Sequence, residues 1–204
     1  MLSLYTFNRL VLLGDIFDNL NFARLKKPHW ELLSAVRKLS NPKRKTEVIW
    51  VEGNHDEGLS EIMSHLIGIE VYKEYTWELN GKKFLAIHGH QFDRFLNENV
   101  VISAIASFFY ERVQRWGNEK QTVARFLKSK SKGWLRLAKK VADRAAEYGR
   151  QKKANVVICG HTHQAEKHEY PVKNITYYNS GCWTDIPSSY ILIYKNGEAE
   201  IMYL

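Results

Sequence analysis

The sequence predicts a layered α/β domain. Short, β-branched apolar runs recur along the chain, and each ends in a loop rich in Asp, Asn or His. Stretches with helical periodicity separate several of these runs. Two Asn-Gly pairs between strand-like segments mark hairpins. The chain has 204 residues, 45% hydrophobic and 13% aromatic. That is enough for one domain spanning residues 1–204 with a sizeable core.

Arg9-Leu10-Val11-Leu12-Leu13 reads as a buried strand ending in Gly14-Asp15-Ile16-Phe17-Asp18-Asn19. Pro28 opens a helix running to about Leu39, with Trp30, Leu33, Val36 and Leu39 near helical spacing. Asn41-Pro42 ends it. Glu47–Val51 is the next strand, ending in Glu52-Gly53-Asn54-His55-Asp56, and a shorter helix follows over about Leu59 to Leu66. Tyr75–Leu79 and Lys83–Ile87 flank Asn80-Gly81, a hairpin signal. The second of these strands ends in His88-Gly89-His90-Gln91-Phe92-Asp93.

Beyond this point strand-like runs stop as far as about Lys153. The text reads as helices over 95–116, 120–131 and 134–150, an insertion covering about 94–153. In the last helix Trp134, Leu137, Ala138, Val141, Ala145 and Tyr148 share one apolar face. Strands then return at 155–159, 175–179, 190–195 and 198–203, the last two joined by Asn196-Gly197. After the first of these comes Gly160-His161-Thr162-His163.

No segment reads as a membrane span. The most apolar stretch, Val100–Tyr110, is too short to cross a bilayer. Met1–Tyr5 carries no basic secretory leader. Cys159 and Cys182 form no Cys-x-x-Cys motif, so reduced thiols and a cytoplasmic setting are expected. The formal charge is +8, which favours an acidic partner. The segment 92–153 holds fifteen Lys and Arg against six Asp and Glu, +9, and so accounts for that excess.

Each of the four loops follows a strand end, so they can converge on one rim. They carry Asp15, Asp18, Asn54, His55, His88, His161 and His163: carboxylate, amide oxygen and imidazole, without thiolate. That chemistry suits Mn²⁺ or Fe²⁺, and also Zn²⁺. Asp15 can bridge two cations, which sit roughly 3.5–4 Å apart in two-metal hydrolases. His55, next to Asn54, can act as general acid for a leaving oxygen, oriented by a carboxylate such as Asp18. His29, His65 and His168 lack such context and read as structural or exposed. His90 and Asp93 lie near enough to His88 to orient it, to meet substrate or to shape the loop. Cys159 reads as a small core residue, and Asn19 and Asn21 as turn residues.

Gly14-Asp15-x-x-Asp18, Gly53-Asn54-His55-Asp56, His88 and Gly160-His161-x-His163 together resemble the calcineurin-like metallophosphoesterases. The resemblance implies a β-sandwich core flanked by helices and a centre of two divalent ions. It makes Asp15 the bridging ligand. Asn54, His88 and His161 would hold one metal and His163 the other, with His55 the catalytic acid and Asp18 its partner. The helical insertion and Asn179-Ser180-Gly181-Cys182-Trp183-Thr184-Asp185 are similar to the UDP-2,3-diacylglucosamine pyrophosphatase branch, where such an insertion caps the site and holds acyl chains. That branch usually has arginine at the place of His55 and His-Gly-Asp at the place of His88-Gly89-His90. The family also begins with Asp-x-His, whereas residues 1–14 contain neither Asp nor His. The expectation is therefore either an upstream strand or an inactive form.

The expected activity is hydrolysis of a phosphodiester or pyrophosphate bond in a lipid-linked or nucleotide-linked substrate. Arg94, Arg136 and Lys140 are the candidate substrate contacts in the insertion. Val100, Val101, Ile102, Ile105, Phe108 and Phe109 offer an apolar surface, and the basic side chains can meet an anionic membrane surface. A nucleic-acid groove ranks lower, because most aromatics lie on apolar faces or strands. A non-catalytic binding or scaffold protein on the same fold, or a nuclease or cyclic-nucleotide phosphodiesterase, are the competing expectations.

Overall fold

The computed structural model describes residues 5–17, 23, 25–41, 43–44, 46–58, 60–93 and 132–204. Ten strands and three α-helices are found among them. In chain order these are β1 (Arg9–Leu13), α1 (Lys27–Leu39), β2 (Glu47–Val51), α2 (Ser60–Ile67), β3 (Val71–Tyr72), β4 (Glu74–Leu79) and β5 (Lys82–Ile87). They continue with α3 (Lys132–Gln151), β6 (Val156–Cys159), β7 (Glu166–Tyr170), β8 (Ile175–Asn179), β9 (Ser189–Ile193) and β10 (Ala199–Tyr203). Short 3₁₀ turns cover His90–Phe92 and Pro171–Lys173. The helices expected over 95–116 and 120–131, the apolar run 100–110, Arg94, Asp18, Asn19 and Asn21 lie outside the described residues.

The strands form a three-stranded sheet β1-β2-β3, a five-stranded sheet β4-β5-β6-β8-β7 and a hairpin β9-β10. β1, β2 and β3 are parallel, as are β5, β6 and β8. The alternation of side chains across a strand explains how the layers stack. Phe84, Val156, Ile158 and Tyr178 point to one side of the large sheet, where they meet Leu13 and the hairpin residues Ile191, Ile193 and Ile201. On the same side Ala86 meets Ile49 and Val51 of the small sheet, with Val11, Leu13, Tyr75 and Trp77 around them. Leu85, Ile87, Val157, Cys159, Ile175 and Tyr177 point the other way, against Ala142, Ala145 and Ala146 of α3. β5, β6 and β8 are thus covered on both faces, which is why they read as continuous apolar runs. α1 closes the outer face of the small sheet: Leu33 and Val36 pack with Trp50, Met63 and Phe17. Burying each such aliphatic side chain contributes roughly 1.5–3 kcal/mol.

Local signals account for the element ends. His29 Nδ1 accepts the Lys26 N–H at 2.9 Å at the start of α1, so this histidine is a helix-capping residue. Asn80 and Gly81 both have positive φ, +51° and +72°, the requirement of a type I′ hairpin turn. Asn196-Gly197 closes differently. Gly197 N–H reaches the Tyr194 carbonyl and only Gly197 has positive φ, which fits a type I turn followed by a left-handed glycine. α3 buries the expected face, with Ala138, Val141 and Ala145 inaccessible. The sequence reading has no counterpart of β3 or β7. β7 is an edge strand of sequence Glu-Lys-His-Glu-Tyr, where charged residues are tolerated because one edge and one face meet solvent.

Candidate metal centre

The C-terminal ends of β1 and β2 in the small sheet and of β5 and β6 in the large sheet deliver the four loops. The sheets pack so closely here that glycine is required. A Cβ on Gly14, whose φ is +73°, would lie 2.3 Å from His88 Nδ1 and 2.9 Å from Gly53 Cα. A Cβ on Gly53 would fall 2.2 Å from Asp15 Oδ1. These glycines let the first two loops and His88 share one small volume.

His88 is the centre of that volume. It is buried, and its Nδ1 lies 3.0 Å from the Leu13 carbonyl oxygen. A carbonyl only accepts, so Nδ1 carries the proton and Nε2 presents its lone pair. Nε2 makes no hydrogen bond and stands 3.1 Å from Asp15 Oδ2. Burial acts to raise the Asp15 pKa, and the His55 backbone N–H, 2.9 Å from Oδ1, opposes that rise. Asp15 itself has φ +51°, a conformation that costs a non-glycine residue energy and is held here by its contacts.

His161 completes a trio. One ligand atom each from Asp15, His88 and His161 lie within 4.8 Å of one another. His161 Nε2 is 3.2 Å from Oδ2 of the buried Asp93, the kind of carboxylate contact that orients a ligating imidazole. Burial lowers the His161 pKa, and the Asp93 contact opposes that shift. The rings of His88, His90 and His161 cluster, with centroids 5.4, 5.4 and 6.3 Å apart. His90 Nδ1 is buried without a hydrogen bond, and its pKa is pushed down to about 4, first by burial and then by the two neighbouring rings.

The remaining expected residues are placed as follows. Asn54 and His55 are exposed on the second loop, beside Asp15. His163 is outside the compact trio. Its ring meets the Cys182 thiol, which raises the His163 pKa against burial, with Asp185 and Asp15 adding to the rise. Burial acts to raise the Cys182 pKa, but His163 and Thr184 bring it below the ordinary thiol value, and Thr184 Oγ1 lies 2.9 Å from the sulfur. Arg136 and Lys140 are exposed on α3. Asp18 and Arg94 lie outside the described residues.

Three residues outside the expected ligand and catalytic set support the loops. Asp56 is fully buried, and its carboxylate accepts the N–H of Gly53 and of Ile16, tying the second loop to the first. Asp93 bonds His161 from the turn after β5. Trp134, at the start of α3, donates its indole N–H to the Thr162 carbonyl at 3.0 Å. Asp56 had a local signal, a side chain three residues after Gly53. Asp93 was expected beside His88, to orient it, meet substrate or shape the loop, and it contacts His161 instead. Trp134 was expected on the apolar face of its helix, and nothing in the sequence signalled its bond to Thr162.

The donor set of two imidazoles and a carboxylate, with a buried and unbonded lone pair at its middle, fits a divalent cation of borderline hardness. Among the described residues this is the one such group of three or more. No helix among them is long and apolar enough to cross a membrane.

The sequence model of the calcineurin-like phosphoesterase family matches residues 4–165. No curated protein matches the chain. Among solved structures, a novel archaeal phosphodiesterase is similar at 16% identity and TM-score 0.49, over 97% of this chain and 83% of that one. Zinc-bound Vps29 from Entamoeba histolytica is similar at 16% identity and TM-score 0.42, over 96% and 97%. A predicted phosphoesterase from Streptococcus pneumoniae TIGR4 is similar at 13% identity and TM-score 0.40, over 97% and 82%.

Proposed function

Because this chain belongs to the calcineurin-like phosphoesterase family, we propose that it hydrolyses a phosphodiester or pyrophosphate bond with divalent cations held around Asp15, His88 and His161. The observation that carries this reading is the buried His88 Nε2, unbonded and turned towards Asp15. A cation bound there would supply Lewis acidity to the phosphoryl group and to its attacking water. Asp15, His88 and His161 would hold it, with Asn54 of the second loop as a further ligand. Asp15 would be shared with a second cation, for which His163 is the candidate ligand. Mn²⁺ suits these donors, and Fe²⁺ and Zn²⁺ suit them as well.

His55 is the proton donor to the leaving oxygen, the role that the family resemblance gives it with Asp18 as its partner. The substrate is a phosphate ester joined to a lipid or a nucleotide, UDP-2,3-diacylglucosamine being the version implied by the insertion and by Asn179–Asp185. The basic insertion, through Arg94, Arg136 and Lys140, meets the substrate's phosphates. It also rests against an anionic membrane surface, placing the protein at the cytoplasmic face.

The test is to load the full chain with Mn²⁺, desalt it, measure bound metal by elemental analysis and assay bis(p-nitrophenyl) phosphate. Bound Mn²⁺ and turnover that EDTA abolishes and Mn²⁺ restores support the enzyme. A folded protein that retains no Mn²⁺ and turns over nothing overturns it. That result would favour a second reading, a non-catalytic scaffold on the same fold. Its support is the engagement of the His163 ring with the Cys182 thiol.

A further inference from the structure

We propose that Asn179 is a positioning residue of the metal centre: its side-chain amide holds the Gly160–His163 turn in the conformation that presents His161 to Asp15 and His88. The inference rests on the metallophosphoesterase reading above for the meaning of the site, and on its own contacts for the mechanism.

Asn179 is the last residue of β8. It pairs in register with Cys159, the last residue of β6, so it stands directly beside the point where the histidine turn begins. It is completely buried. Its Nδ2 lies 2.5 Å from the Gly160 carbonyl, 3.0 Å from Thr162 Oγ1 and 3.2 Å from the Tyr177 hydroxyl. Gly160 and Thr162 are the two neighbours of His161, so one amide grips the turn on both sides of the ligand. On its other side, Oδ1 accepts the Gly181 N–H at 3.0 Å. Gly181 leads into Cys182, whose thiol meets His163. The two ends of a single side chain therefore reach segments flanking both histidines.

The turn requires such a grip. His161 and His163 have φ of +62° and +57°, left-handed values that side chains with a Cβ disfavour. The local closure is a single short contact, Thr162 N–H to the Gly160 carbonyl at 2.7 Å. Other residue types do not replace the amide. It offers two N–H donors and a carbonyl acceptor in one rigid plane. A carboxylate at 179 would set oxygen against the Gly160 carbonyl, and a serine would be too short to reach both sides.

The test uses the full chain with Asn179→Ser, and Tyr178→Phe as the control. Tyr178 precedes Asn179 on β8, and its hydroxyl bonds the Ala199 carbonyl of the hairpin, away from the histidine turn. Cobalt binding is followed by calorimetry and visible absorption, and the metal-free histidine rings by ¹⁵N NMR. Asn179→Ser is expected to bind Co²⁺ about 10–100-fold more weakly, to change the ligand-field absorption and to move the His161 and His163 ring signals. Tyr178→Phe is expected to match the unaltered protein in all three. A folded Asn179→Ser with unaltered affinity and spectra overturns the proposal. If that variant does not fold, Thr162→Val, which removes only the hydroxyl contact, decides by the same readouts: a smaller loss in the same direction supports the proposal, and none overturns it. If the unaltered protein takes up no cobalt, the metallophosphoesterase reading fails, and the metal-free histidine spectrum alone decides the role of Asn179.

Discussion

Oδ2 of Asp15 and Nε2 of His88 face each other at 3.1 Å across the junction of two different sheets. The His88 proton is committed to the Leu13 carbonyl on the far side of the ring. Two lone pairs held this close attract a cation. Mn²⁺ at about 100 times its dissociation constant is therefore expected to stabilise the protein by about 2.7 kcal/mol, a clear rise in melting temperature. In His88→Ala that rise should disappear. Calorimetry with and without Mn²⁺ checks this, and equal rises in the two proteins would remove His88 from the site.

His55 touches the centre through its main chain, since its N–H reaches Asp15 Oδ1. That contact survives replacement of the side chain. His55→Ala should therefore keep its metal while kcat falls by roughly 10²–10⁴-fold, the scale of a lost general acid. Steady-state kinetics paired with metal analysis separate the two effects. Metal loss in step with activity would show that the imidazole serves binding instead.

Glu74 supplies a pH dependence remote from the metal. Its carboxylate accepts from Lys152 Nζ and from the Tyr148 hydroxyl, each at 2.6 Å. Burial acts to raise its pKa, but these two contacts lower it below the ordinary value. The unfolded chain binds the proton more readily, so the stabilisation is complete above the unfolded value of about 4.3 and fades as pH falls below it. Glu74→Gln should cost about 0.5–1 kcal/mol at pH 7, allowing for solvent screening. The gap should narrow towards pH 3. Urea denaturation at the two pH values measures it, and a gap that widens in acid would contradict the assignment.

Gly149 sits in α3, where replacement by alanine would ordinarily favour the helix by about 1 kcal/mol. Here an added Cβ would meet Val157 Cγ2 at 2.3 Å and Ile175 Cδ1 at 3.5 Å. Overpacking of a buried strand costs roughly 1–3 kcal/mol, so the steric term wins. Gly149→Ala is expected to lower the melting temperature by several degrees, and a raised value would show that α3 shifts freely on the sheet.

Much of this was legible in the linear text. Strand runs that end in Gly14-Asp15, Gly53-Asn54, His88 and Gly160-His161 were visible because a strand covered on both faces must be apolar along its length. The Asn80-Gly81 hairpin was visible because its turn demands positive φ. The buried face of α3 was visible because helical periodicity is a local property. β7 was not, since an edge strand stabilised by its neighbour β8 and by Tyr177 needs no strand-like composition of its own.

The sequence by itself determined which residue types stand at the strand ends, in what order, and with what charge in the segment between Phe92 and Lys153. Those are properties of short stretches, governed by backbone propensity and side-chain polarity. Only the tertiary structure decided that Asp15 meets His88 while His163 turns to Cys182, that Asp93 and not a nearer residue bonds His161, and that Asn179 grips the histidine turn. Each of these joins residues from different strands or loops. Their meeting depends on how closely the sheets approach and on which rotamer the surrounding packing leaves open, and neither is encoded by spacing along the chain.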